Sequence, residues 1–188
     1  MLRLHAIACL LLTACASSGG APPVVSGAEH AAPPAAAEGG PDSEQSDADR
    51  AALLAIRAVH GGAGPWVVAG YRMGRFALAK LGLPHGSFDL EVVHHAPLEV
   101  QYSCIADGAA AATGASLGRL NLSLEPAEPQ ATRTTYKNRA TGASLTLQTT
   151  EKFALRYMSV PRPQLSAAGE EVLHLPDAEV FQEVNNRP

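Results

Sequence analysis

Cysteine, aromatic residues and charge are all scarce in this chain. Of 188 residues, 5% are aromatic and 17% charged, with one Trp and three Cys. Three Cys without a Cys-x-x-Cys pair exclude a disulfide-stapled scaffold and a zinc ribbon. Fourteen Lys and Arg stand against eighteen Asp and Glu, a net charge of −4. No basic patch emerges, which argues against nucleic acid as a partner. No apolar run is long enough for a membrane-spanning helix, and neither heptads nor internal repeats are visible.

What the chain does have begins at its start. Arg3 supplies a positive n-region, and Ile7 to Leu12 form a short apolar run of the signal-peptide kind. Leu12-Thr13-Ala14-Cys15 matches a lipobox, so residues 1–14 read as a lipoprotein signal peptide and Cys15 as the lipidated residue. The alternative is an ordinary signal peptide that leaves Cys15 a plain thiol. Ala16 rather than Asp after the Cys directs the expectation to the outer membrane, facing the periplasm. The membrane is then a partner through the N-terminal lipid. Residues 15–45 hold Ala, Pro, Gly, Ser and Glu but few large apolar side chains, the composition of a flexible tether. With Cys9 lost in the signal and Cys15 acylated, Cys104 is the one thiol left.

Residues 46–188 remain, roughly 140 residues and enough for one domain with a core. Ser46-Asp47-Ala48-Asp49 predicts a helix start, with Leu53, Leu54, Ile56 and Val59 as its apolar stripe. Gly61, Gly62 and Gly64 break it, and Pro65 opens a second helix ending at Gly82. In that helix Gly70 and Gly74 permit another backbone to approach closely. Arg72, on an otherwise apolar helix, needs a partner, for which a carboxylate at a subunit contact is one candidate. Strands are predicted over 88–95, 98–103, 120–124, 131–137 and 144–148, and a short helix over 105–113. Further short helices follow at 151–158, 163–173 and 178–181. This order predicts an α+β fold, a mixed β-sheet flanked by helices, in a single domain after a disordered tether.

Three blocks carry chemistry. The first is His60-Gly61-Gly62-Ala63-Gly64-Pro65-Trp66. The second, Cys104-Ile105-Ala106-Asp107-Gly108, places a thiol and a carboxylate three apart, on one face of a helix. The third is Thr113-Gly114-Ala115-Ser116-Leu117-Gly118-Arg119-Leu120-Asn121-Leu122. His60 reads either as a residue answering the last carbonyls of its helix or as a ligand. Cys104 reads either as a small apolar residue or, at a helix N-terminus, as a stabilised thiolate. Asp107 reads as a first-turn charge or as a ligand and proton acceptor. His94 and His95 point to opposite faces of a strand, so only one of them can line a given cleft. Gly114 and Gly118 suit a turn whose amides, with Arg119, could also hold an anion. His85 and His174 read as surface residues.

Together the blocks resemble the FmdE family, named for a component of formylmethanofuran dehydrogenase, over roughly residues 52–160. That resemblance implies an α+β core, frequent homodimers, and a metal-binding cleft where the His loop meets the Cys-x-x-Asp helix. His60, Cys104 and Asp107 stand at the family's ligand positions, and the implied cofactor is a divalent transition metal such as zinc. His94, His95, Arg119 and Asn121 are the candidates for contacting a ligand. The chain departs from the family pattern at Gly62, where many members have a second His, and at Gly64, where many have a Cys. Arg119 replaces the usual Lys. Three functional classes follow: a lipoprotein binding a metal or small ligand, a metal- or thiol-dependent enzyme, and an interaction module with a degenerate site.

Overall fold

The structure is a computed structural model, and it describes residues 41–184, with side chains from Glu44 onward. The signal peptide, Cys15 and most of the tether lie outside the described residues. Helix α1 spans Pro41–His60 and begins about one turn before the expected Ser46 start. Its inner face carries Ala52, Ile56 and His60, spaced four apart. Leu54 and Val59, expected on the apolar stripe, are exposed. Leu54 lies roughly 200° around the helix from Ile56, so the two cannot share a core face.

Helix α2, Pro65–Leu81, starts with Pro in its first turn and ends on Gly82 in the left-handed conformation. It packs against α3, Val100–Thr113, through glycines. A Cβ built on Gly70 would sit 2.2 Å from the Ile105 carbonyl oxygen, and one on Gly108 would sit 2.0 Å from that of Val67. Two backbones therefore meet where side chains would otherwise hold them apart.

Five strands form one mixed sheet in the order β2-β1-β3-β4-β5. They are β1 Leu90–Ala96, β2 Leu122–Pro126, β3 Arg133–Asn138, β4 Ser144–Thr149 and β5 Phe181–Glu183. β1 and β2 run parallel and the other pairs antiparallel. The order of helices and strands gives the α+β single domain expected from the sequence. Three short helices, α4 Glu151–Tyr157, α5 Leu165–His174 and α6 Asp177–Val180, complete it.

Two expected elements differ. Residues 98–103 do not form a strand, because α3 begins at Val100. Leu98 and Val100, whose alternation suggested a strand, are both exposed. Parallel β1 and β2 also require a crossover connection, and α3 supplies it. At the other end, the helix stops at Val180 and Phe181 starts β5. Three residues are too few for a period to show. Arg72 finds its carboxylate within the chain: it donates to the Val172 carbonyl and pairs with Asp177, each at 2.5 Å. The pair at a subunit contact is thereby replaced.

Candidate functional site

α1 stops at His60 because Gly61 turns left-handed at φ 84° and its amide closes onto the Arg57 carbonyl. The loop 61–64 then leads into Pro65 of α2. Opposite, α3 presents Cys104 and Asp107 from adjacent turns of one face. The two elements meet: His60 Nδ1 lies 2.8 Å from Asp107 Oδ2. The Cys104 side chain lies near enough to act on the charge of the imidazole. Cys104 has a partner one turn back, its Sγ donating to the Val100 carbonyl at 2.8 Å. Cys104 is the fifth residue of α3, beyond the first-turn amides that would stabilise a thiolate at a helix N-terminus.

This arrangement sets the charge of His60. Its pKa is pushed up to about 9, first by Cys104 and then by Asp107, against burial, which acts to lower it. Asp107 holds the ring through Nδ1. A thiol, an imidazole and a carboxylate thus stand together, with the imidazole held protonated at neutral pH.

The donor chemistry of the three suits zinc, but their arrangement does not. Among the described residues, no group of three or more His, Cys, Asp and Glu could hold a metal ion. Asp107 is engaged on the very nitrogen it would orient from outside a coordination shell. Two first ligands remain, His60 and Cys104, where a tight site takes three or four. The residues present do not fit a resident transition metal.

His60 and Cys104 border a cleft of about 710 Å³, with His60, Gly62, Gly64 and Trp66 on one side and Val100 and Cys104 on another, and Asp107 lies outside its lining. Nothing in the motifs announced the third wall, which runs from Tyr157 to Ser166 through Met158, Val160, Arg162 and Leu165. This stretch carries two prolines and scattered apolar residues, and only the folded chain brings it to the His60 loop. α5 fixes the loop from behind: a Cβ on Gly169 would lie 1.9 Å from the Ala63 carbonyl oxygen.

The remaining sequence candidates stand apart from this cleft. His94 is fully buried, its Nε2 on the Tyr102 carbonyl at 3.1 Å and its Nδ1 on Thr134 Oγ1 at 2.9 Å. A carbonyl only accepts, so Nε2 carries the proton and Nδ1 accepts from the hydroxyl. Burial lowers its pKa to about 4. His95 faces the other side and pairs with Glu125 at 3.3 Å. Arg119 donates to the carbonyls of Gly114 and Gly86 and stacks over the Phe88 ring at 3.9 Å. Asn121 is a buried strut, accepting from Ser116 N–H and donating to the Leu90 carbonyl.

The family model FmdE, Molybdenum formylmethanofuran dehydrogenase operon, matches residues 59–182. The chain belongs to the FmdE family. The match opens one residue before His60 and ends within β5, so it takes in all three walls of the cleft. No curated protein matches the chain. In this FmdE domain Gly62 and Gly64 face the cleft without donor side chains. Neither glycine is demanded by backbone conformation: Gly64 has φ −81°, and a Cβ on Gly62 would meet nothing within 4 Å.

Proposed function

We propose that this FmdE-family protein is an envelope-anchored lipoprotein, acylated at Cys15, whose domain binds a small ligand in the cleft between the His60 loop and the Cys104 helix. The observation that carries the ligand-binding reading is the placement of His60 and Cys104 on the border of a cleft of about 710 Å³, with Asp107 holding His60 from behind. That volume falls in the range of small-molecule sites, and the wall is mostly apolar with few polar groups, as such sites are. The ligand-donor count favours a small molecule over a resident divalent metal. The lipobox and the Ala/Pro/Gly-rich residues 15–45 support the anchor.

Thiol protection tests the binding reading. Alkylation of Cys104 by iodoacetamide should slow at least severalfold when a ligand found by screening fills the cleft, and a bulky side chain at Gly62 should abolish both binding and protection. Alkylation unaffected by any bound ligand would count against it.

A second reading is thiol-dependent chemistry, favoured by the cationic His60 near Cys104, which would favour a thiolate. It requires that Asp107→Asn slow alkylation of Cys104, since the imidazole loses its orienting group.

A further inference from the structure

The cleft's charges are sorted by wall. Arg162 is the only Arg or Lys among its lining residues. The guanidinium has no hydrogen bond or ion pair among the described residues. The single carboxylate in the lining is Glu99. It sits at the start of α3, where its charge complements the positive end of that helix. Asp107, just behind the lining, is committed to His60. Arg162 is therefore an exposed cation, without an ion pair, at the edge of a largely apolar cavity.

The rest of the wall divides accordingly. Trp66, Val100, Met158, Val160 and Leu165 supply apolar surface. Near the loop, Gly64 begins α2 with no capping side chain, and the amides of Trp66 and Val67 have no partner among the described residues. These amides add to the field of Arg162 but would not make a site alone.

Resting on the ligand-binding reading above, we infer that the ligand is a small amphipathic anion, with a carboxylate or phosphate head held by Arg162 and an apolar body lying against the Trp66–Leu165 wall. A guanidinium takes such a head through paired N–H donors. A neutral head would gain no ion pair with the guanidinium, and a cationic head would be repelled by it.

The test uses the full chain carrying Cys15→Ser, so that no acyl group on the protein competes for the cleft. Trp66, the sole Trp, reports by fluorescence, and titration calorimetry gives affinities for octanoate, octanol and octylamine. Octanoate is expected to bind about tenfold or more tightly than octanol, and octylamine most weakly. Octyl phosphate, the second head of this class, should follow octanoate. Arg162 is exposed, so Arg162→Gln should leave the fold intact by circular dichroism and bring octanoate down to the affinity of octanol. Octanol binding as well as octanoate to the wild type overturns the anion inference and leaves the ligand-binding reading standing. Binding of none of the probes, or binding unchanged by a bulky side chain at Gly62, removes both.

Discussion

His60 and His94 are driven to opposite charge states by their surroundings. His60 has its pKa raised to about 9 by Cys104 and Asp107. Its contribution to stability is complete below its unfolded value of 6.5 and is lost as pH rises through about 9. In an NMR titration its midpoint should fall in both Cys104→Ala and Asp107→Asn. A midpoint unchanged in both would show that neither side chain raises it. His94 has its pKa lowered to about 4 by burial. Its neutral form is favoured in the fold, so its contribution is complete above 6.5 and is lost as pH falls from 6.5 towards 4. The stability difference between wild type and His94→Gln, from urea unfolding, should be flat above pH 6.5 and shrink steadily below it. A pH-independent difference would mean that burial does not hold His94 neutral. Both histidines were legible as candidates in the sequence. Adjacency on a strand separated His94 from His95 correctly, but only the packing of α3 over β1 turned His94 from a cleft candidate into a buried strut.

At the scale of elements, the cleft depends on how closely α2 and α3 approach. Gly70 and Gly74 announced that approach, and Gly108 completes it from the other helix. Gly108→Ala puts a methyl into the Val67 carbonyl and should cost about 3 kcal/mol or more in urea unfolding, at the severe end of overpacking. Gly62→Ala, with nothing within 4 Å of the new carbon, should change stability by no more than about 0.5 kcal/mol. Equal effects at the two positions would contradict the backbone contact. The misread strand at 98–103 has the same origin. Local alternation at Leu98 and Val100 looked like a strand face, but neither side chain is buried, and the parallel pairing of β1 with β2 required a crossover there. That requirement is set by strands more than twenty residues apart in the chain, beyond the reach of any local pattern.

For the whole molecule, no single helix among the described residues is long and apolar enough to cross a membrane. The proposed anchor at Cys15 rests on the lipobox Leu12-Thr13-Ala14-Cys15. Metabolic labelling with palmitate should mark the wild type and leave Cys15→Ala unlabelled and released from the membrane fraction. Label retained in Cys15→Ala would overturn the anchor. Metal analysis of protein purified without a His tag should give well under one divalent metal per chain, since two first ligands are too few to retain it through chelator dialysis. A stoichiometric metal that survives dialysis and disappears in Cys104→Ala would reverse the donor count.

The sequence alone determined the α+β class, the order of most elements, the three motif blocks and the family they belong to. These rest on local signals: periodicity, helix stops at glycine, and spacing within a single helix, as with Cys104 and Asp107. Tertiary structure decided which of those residues meet. It set the end of α1 against α3, so that His60 found Asp107, and it drew Arg119 and Asn121 into loop and strand support. It also brought Tyr157–Ser166 across to close the cleft, with Arg162 on its wall. Such contacts join segments far apart in the chain, and their energy comes from burying faces that no single segment could bury alone.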